Sequence, residues 1–539
     1  MANISFYGSH NGSYVVEQDG EILLVLEIER FLNYKNSGIA QYKTAKADDV
    51  QFLSKLIPKY IMDTLNIKEF ENCYYLNTDI IHNGIHILHN DIPAKNYILS
   101  KHHESHAAGT FYQSPHKEAL LFSFDGGGDD GKFNIYHAKR EESVKLLECV
   151  PNPIINLPHV FYDLGFPYMI FGHYMKDIRF EPLSEGNLVY AGKLMGLVSY
   201  GKVVEEWLPH FINFYKSDVN GLNWLEKVKI LGDEIGVNFD VENRLEGDIA
   251  YNVATTSQRA FEECFLEVAK PYFEKYPDLP IGITGGCGLN IILNTRLVEE
   301  FGKNVFVAPG PNDCGIALGM LLHHLKPSNP IDVTYKGVEL LDQNTLGHHV
   351  QTREFPFRSY DLNVLDLVED LSKGKIVGVA RGGAEHGPRA LGNRSIICDP
   401  SFPEMKDILN AKVKNREWYR PFAPVVRLED VNEYFEWDKE SRWMSFCPKV
   451  QKKWRKKLSS ITHVDNTARV QTVTKEQNPW LYDLLTQFKE KTGVGVLLNT
   501  SFNVAGKPIL SSLTDAWDIF QKSQMDGLII NDYYFKKTI

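Results

Sequence analysis

Hydrophobic and polar positions alternate in short runs at the head of the chain. Ile4–Gly8 (ISFYG), Tyr14–Gln18 (YVVEQ) and Glu21–Glu29 (EILLVLEIE) are separated by the polar stretch SHNGS and by an Asp19-Gly20 pair. Runs of this kind joined by such turns predict a three-stranded antiparallel start. The layout returns at Ala119–Glu148, as ALLFSF, the turn DGGGDDG, KFNIYHA and VKLLE. Helical spacing follows each copy, over Ala47–Leu65 after the first and from about Gly192 to Phe273 after the second. Two copies of strand, turn and strand with helices behind them predict a duplicated α/β domain with a ligand cleft between its halves. The alternative is coincidence, because hairpins are common.

Further along, the strand PIGITGG runs through glycines into the helical CGLNIILNTRLVEE, and VFVAPGPNDCGIALGMLL repeats the transition. A strand, glycines and a helix in that order place backbone N–H groups where a nucleotide phosphate can sit. From Pro327 to Asp361 the sequence turns polar and aperiodic, which predicts a domain boundary, with domains over 1–345 and 346–539. The second domain opens with the helical LNVLDLVEDLSKG and the strand KIVGVA. The stretch RGGAEHGPRALGNRS follows at once.

That stretch has the composition of an anion site. Its glycines let backbone N–H groups approach a ligand, Arg381, Arg389 and Arg394 offer bidentate forks, and Asn393 and Ser395 can read an adjacent amide or hydroxyl. A surface turn with structural arginines is the alternative. Lys414, Arg416 and Arg420 in KVKNREWYRPFAP, and Asn499, Ser501 and Asn503 in LLNTSFNVAGKPI, make one polar cationic pocket for a polyphosphate and a small carbonyl group. His102 and His106 are four apart, so a helix would place both imidazoles on one face, a spacing suited to one metal ion; core or exposed histidines are the alternative. Asp313, at the mouth of a helix, is the candidate third ligand, and an N-capping aspartate is its ordinary explanation. Two histidines and a carboxylate suit iron, zinc or manganese.

Composition narrows the class. With 539 residues, 43% hydrophobic and 24% charged, the chain is long enough for two domains of a soluble globular protein. A net charge of −11 disfavours general binding to nucleic acid or an anionic membrane. The one dense basic run, KVQKKWRKKL at Lys449–Leu458, reads as a solvated helix face or surface loop before a polynucleotide contact. The 7 cysteines form no CxxC pair, which argues against a disulfide framework or a thiolate zinc site. MANISFYGSH lacks a basic region and an apolar core, and no window approaches a membrane span, so a cytoplasmic protein is expected.

Taken in order, SHNGS, EIERFLNYKNSG, HHESHAA, SFDGGGDDG, KLMGLVSYG, GGCGLN, PNDCGIALG, RGGAEHGPRALGNRS, KNREWYRPFAP, HVDNTARVQTV and LLNTSFNVAGKPI resemble the O-carbamoyltransferase family, which includes nodulation-factor and antibiotic carbamoyltransferases. The resemblance covers nearly the whole chain. It implies an N-terminal domain of the actin/hexokinase-like (ASKHA) α/β fold, similar to the threonylcarbamoyl-transfer ATPase-fold protein, and a YrdC-like α/β C-terminal domain.

It also implies two steps. The C-terminal domain would form carbamoyl adenylate from carbamoyl phosphate and ATP, with Arg389, Arg394, Lys414, Arg416, Ser501 and Asn503 at the matching positions. The N-terminal domain would pass the carbamoyl group to a hydroxyl. There the resemblance implies a divalent metal, Fe(II), on His102, His106 and Asp313, with His10 as general base and Lys35 steadying the leaving phosphate. Asp125, Gly126, Gly127, Gly285, Gly286 and Asn290 would hold nucleotide, and Mg(II) can accompany ATP. The residue types alone read His10 as a turn histidine and Lys35 as a solvated lysine. One departure is Asn11, where the family commonly has Asp: an amide can serve neither as base nor as charged ligand.

The expected partner is a small sugar-, antibiotic-, nucleoside- or nucleotide-like hydroxyl acceptor, with no membrane; a homo-oligomer is left open. Transfer to tRNA or to a thiol shares the two domains, but the acidic charge and the lack of a CxxC array stand against it. A binding protein that kept the fold without turnover is the third reading. The His pair, Lys35 and the clustered arginines argue against it.

Overall fold

The computed structural model describes residues 1–39, 47–76, 81–82, 85–86, 91–150, 164–178, 188–216, 224–346 and 357–537. The chain folds into two compact units, one of Met1–Ser100, Ala308–Pro327 and Ile331–Ile539, the other of Lys101–Val307 with Ser328–Pro330.

The first unit opens with β1 (Ala2–Tyr7), β2 (Ser13–Gln18) and β3 (Glu21–Glu27) as an antiparallel meander. Its second turn works because Asp19 (φ 55°) and Gly20 (φ 88°) both take left-handed backbone, the geometry a two-residue hairpin needs. β4 (Phe70–Tyr75) joins β1 in parallel and β5 (Ala94–Leu99) joins β4 in parallel, so the strand order is β3-β2-β1-β4-β5. Helix α1 (Ala47–Leu65) connects the meander to β4. Buried Ile4, Phe6, Tyr14, Val16, Leu26 and Phe70 form the core of this half.

The second unit repeats the plan. β6 (Glu118–Gly128), β7 (Gly131–Lys139) and β8 (Ser143–Val150) form the meander, and β9 (Ile281–Thr284) and β10 (Val305–Phe306) add in parallel, giving β8-β7-β6-β9-β10. Strand order and direction match those of the first sheet one for one. This is the duplicated α/β topology expected from the repeated sequence layout, and the actin/hexokinase-like plan that the family resemblance implies. Helix α2 (His102–Gln113) packs on β6 and β9, and the 29-residue α3 (Gly247–Lys275) carries the largest buried aromatic cluster of this unit, where Phe261 and Phe265 meet Phe124.

A third, eight-stranded mixed sheet lies in the first unit. It runs β11 (Phe357–Asp361), β18 (Tyr533–Lys537), β17 (Gly527–Ile530), β12 (Val377–Ala380), β13 (Arg394–Cys398), β16 (Val496–Ser501), β14 (Ala423–Arg427), β15 (Gln471–Val473). Its core is built from Val377, Val379, Ile397, Leu497 and Ile529 with the helices Val364–Ser372 and Pro479–Thr492. The loop between β12 and β13 is the Gly/Arg-rich stretch. The basic run Lys449–Leu458 forms turns rather than a helix, with Lys453 and Lys457 over the Trp454 ring. Among the described residues no helix is long and apolar enough to cross a membrane.

Candidate active site

In the second unit the sequence pair HxxxH becomes a cluster. Helix α2 puts His102 and His106 one turn apart, with ring centroids 4.7 Å from each other. Both Nε2 atoms reach one carboxylate oxygen: Asp125 Oδ2 lies 3.0 Å from His102 and 3.3 Å from His106. Asp125 ends the inward run of β6, and its other oxygen accepts the Gly127 N–H at 2.7 Å.

The β6–β7 turn supplies the caps of the helix as well. Asp129 Oδ1 accepts the His102 N–H at 3.0 Å, and the Asp130 carboxylate accepts those of His103 and Glu104 at 2.8 and 3.1 Å. Burial works against the charge of Asp125, but His103 and His102 outweigh it and hold its carboxyl well below the usual range. His103 is structural: its ring nitrogens lie 2.8 Å from Ser123 Oγ and 3.0 Å from the Gly131 carbonyl, and burial depresses its pKa. A buried set of two imidazoles and a carboxylate, with ligand atoms within 4.8 Å of one another, suits a divalent transition metal.

The glycine turn next to this cluster has two uses. A Cβ on Gly285 (φ 81°) would lie 2.3 Å from the Phe124 carbonyl oxygen, so only glycine lets the turn close onto β6, and Gly286 then faces Asp125. Gly126 and Gly127 are exposed, but the Gly127 N–H is already taken by Asp125. Asn290 is committed elsewhere: its Oδ1 caps the helix Ile291–Glu299 by accepting the Leu293 N–H at 3.0 Å, and its amide donates to Gln258 at 2.9 Å.

In the first unit, His10 and Asp313 meet. Asp313 Oδ2 accepts the Tyr7 hydroxyl at 2.9 Å and lies 3.3 Å from His10 Nδ1. Asp313 starts the turn before the helix Ile316–Leu325, and the N-cap positions of that turn and that helix are Asn312 and Gly315, so Asp313 is not the N-cap residue of either. Asn11, at φ 56°, points its amide at Glu29 Oε2 (3.5 Å) and Asn36 Oδ1 (3.4 Å). Burial, then the charge of Glu27, raises the Glu29 pKa. An aspartate at 11 would place a second carboxylate against Glu29, so the amide fits this position electrostatically.

The same unit holds the cationic pocket. Lys414 Nζ donates to the Ser501 carbonyl at 2.5 Å, the Asn503 carbonyl at 2.8 Å and the Asn503 side-chain oxygen, all uncharged acceptors. Burial, then Arg416, Arg420 and Lys35, pushes its pKa well down. Arg389 is pushed to about 10 by burial and by Arg420. Arg416 is lowered by burial and Arg420, and Arg469 by burial and then Arg389, Arg416 and Arg420. These arginines are half-buried, as walls of a pocket are. Glu417 takes Arg420 at 3.3 Å, one carboxylate against a group of like charges. Lys35 belongs to this group, since its charge is felt at Lys414.

Five sequence candidates face elsewhere. Arg394 is fully buried, and its guanidinium donates to the carbonyls of Arg381 (2.7 Å), Gly382 (2.9 Å), Asn393 (3.0 Å) and Val338 (3.2 Å). It shapes the loop, and only its buried Nε is left without a hydrogen-bond partner among the described residues. Arg381 pairs with Asp532 and stacks over Trp480. Asn393 donates to the Gly383 carbonyl, and Asn499 to the Ala390 carbonyl and Gln471. Ser395 Oγ accepts the Gly392 N–H.

Two family models match this chain, Carbamoyltransferase N-terminus over residues 27–322 and Carbamoyltransferase C-terminus over 368–537. The chain belongs to the carbamoyltransferase family. It is 36% identical to 3'-hydroxymethylcephem-O-carbamoyltransferase of Streptomyces clavuligerus over 82% of this chain and 81% of that relative. Nodulation protein NolNO of Sinorhizobium fredii is 29% identical over 98% of this chain and 79% of the relative. Among solved structures, full-length HypF in its phosphate- and nucleotide-bound form superposes with a TM-score of 0.35 at 12% identity, over 60% of this chain and 55% of that one.

Reading residue types in this carbamoyltransferase overlooked two residues. Arg469, in HVDNTARVQTV, joins the cationic pocket, and the only signal was that its motif lies among the others. Gly128 makes room for the metal-candidate ring, since a Cβ there would lie 2.5 Å from the His102 imidazole. The third glycine of DGGGDDG was that signal.

Proposed function

We propose that this carbamoyltransferase is an ATP-dependent O-carbamoyltransferase that works through carbamoyl adenylate. The observation that carries the reading is the pocket around Lys414, where burial and then neighbouring cations, Arg420 among them, depress the proton affinity of Arg389, Lys414, Arg416 and Arg469, with Glu417 on Arg420 as the carboxylate paired there. Cations gathered at that electrostatic cost suit a polyanion, and ATP with carbamoyl phosphate is one.

Water would cleave carbamoyl phosphate to carbamate and phosphate. A carbamate oxygen would then attack the α-phosphorus of ATP, and pyrophosphate would leave with the P–O bond pair. Lys414 and the arginines would neutralise the oxygens of both phosphate groups and offset the repulsion between carbamate and the α-phosphate. Ser501 and Asn503 hold the Lys414 ammonium in place, and fixing the carbamoyl amide would require them to exchange these bonds for ones to the ligand.

In the second step an acceptor hydroxyl would attack the carbonyl carbon and AMP would leave. His10 would take the hydroxyl proton at Nε2, because Asp313 next to Nδ1 favours the tautomer that leaves Nε2 basic. The site residues fit a divalent metal, Fe(II) by family resemblance: His102 and His106 would hold it, and it would supply Lewis-acid polarisation. Asp125, already on both imidazoles, would orient them or join the ligand set. The acceptor class is a small hydroxylated sugar, antibiotic or nucleoside.

The test is pyrophosphate and AMP release from ATP with carbamoyl phosphate present. Release that depends on carbamoyl phosphate is expected. ATP turnover indifferent to carbamoyl phosphate would remove the proposal.

A further inference from the structure

A second cluster of metal-binding side chains lies within the first unit, and nothing in the carbamoyl chemistry uses it. Glu27 ends β3, Cys314 sits in the turn beside Asp313, and His386 lies in the Gly/Arg-rich loop. All three are buried, and one ligand atom of each lies within 4.8 Å of the others. His386 is 1% exposed, yet neither ring nitrogen has a hydrogen-bond partner among the described residues. Its Nδ1 stands 3.3 Å from Glu27 Oε1, a charge contact without hydrogen-bond alignment. With Nδ1 turned to Glu27, the buried Nε2 is the nitrogen left unmet, which costs free energy on the scale of a lost hydrogen bond, so a missing partner there is the economical explanation.

Imidazole and sulfur converge on one residue: a Cβ built on Gly310 would lie 2.6 Å from His386 Nε2 and 3.1 Å from Cys314 Sγ, so only a glycine lets the two donors come together at this point of the backbone. We propose that Glu27, Cys314 and His386 form a buried zinc-type site, separate from the histidine pair on α2. The donor set of thiolate, imidazole and carboxylate is borderline-soft, which selects zinc over magnesium or calcium.

The surroundings are compatible. Glu27 Oε2 lies 3.1 Å from Arg30 Nε and Oε1 accepts the Gly387 N–H at 2.7 Å, the kind of support that a ligating carboxylate ordinarily has. Arg30 is in turn spread over the carbonyls of Glu385 and Gly387, which moderates its charge beside a cation. The Cys314 thiol donates to Asn312 at 3.1 Å. Binding would release that proton, with the thiolate taking the ion and Asn312 Oδ1 available as a further oxygen donor. Such a site would tie the turn that carries Asp313 to the end of β3 and to the Gly/Arg-rich loop.

The test uses full-length protein stripped of metal and titrated with Co(II), read by absorption. A thiolate-to-cobalt charge-transfer band is expected in the near ultraviolet. It should vanish in Cys314→Ser, persist in His102→Ala, and require at least about tenfold more Co(II) in His386→Gln. Circular dichroism checks that each variant is folded; if Cys314→Ser is not, His386→Gln decides alone. No band in the wild type, a band that survives Cys314→Ser, or an unshifted titration in His386→Gln would each overturn the proposal. Because the readout is the thiolate band, the result stands apart from whether carbamoyl adenylate is made.

Discussion

The cluster at His102, His106 and Asp125 and the pocket at Lys414 solve opposite electrostatic problems. In the first, a buried carboxylate is met by two imidazoles, so each charge has a partner before any ligand arrives. In the second, burial and then neighbouring cations, Arg420 among them in each case, lower the pKa of Arg389, Lys414, Arg416 and Arg469, and the acceptors around Lys414 are neutral oxygens. On the proposed reading the first would be a preorganised cation holder, and the second an arrangement that an incoming polyanion would relieve. Local stability and readiness for ligand are therefore traded differently in two parts of one chain.

The largest expected effect separates the two directly. His106→Ala should lower bound divalent metal roughly 10²-fold in affinity, as measured by metal titration, with no change in ATP binding. Comparable losses of both would erase the distinction. Next comes a contrast inside the Gly/Arg-rich region and its neighbour. Arg469→Met should raise the KM for ATP and carbamoyl phosphate about 10- to 100-fold while leaving the melting temperature of the unliganded protein unchanged or higher, because it removes a repelled charge. Arg394→Met should instead cost about 3 kcal/mol of stability by stranding the buried carbonyls it serves, measured by denaturant unfolding.

Smaller effects follow from protonation. Lys414 is held well below the ordinary lysine value of 10.5, burial first and then Arg416, Arg420 and Lys35. Between the lowered pKa and 10.5 the unfolded chain binds more protons than the folded one, so the unliganded protein gains stability as pH rises through that window. A bound polyphosphate raises the pKa again and draws a proton in. Calorimetry at alkaline pH, in buffers of different ionisation enthalpy, should show proton uptake on pyrophosphate binding, lost in Lys414→Met. Smallest is Asn11→Asp, which sets a carboxylate against Glu29 and should cost about 1 kcal/mol of stability.

Much of the scaffold was legible in the sequence. Asp19-Gly20 announces its hairpin, the two meanders repeat visibly, and four-residue spacing puts His102 and His106 on one face. What the sequence hides is where a side chain points. Arg389 and Arg394 look equivalent in GPRALGNRS, but Arg394 lies on β13 with its guanidinium turned back into the loop, whereas Arg389 stands in the cationic pocket. Asp125 reads as part of a glycine-rich nucleotide turn; only the packing of α2 on β6 turns its carboxylate to the histidines. Arg469 is distant in sequence from its pocket partners, and no local spacing could assign it.

The central claim is that adenylate formation belongs to the Lys414 pocket and transfer to the histidine cluster. Pyrophosphate release and carbamoylated acceptor, followed together in Lys414→Ala and His106→Ala, test it most directly. Lys414→Ala should abolish both products. His106→Ala should keep pyrophosphate release near the wild-type rate and yield no carbamoylated acceptor, and a His106→Ala protein that released no pyrophosphate would contradict the account.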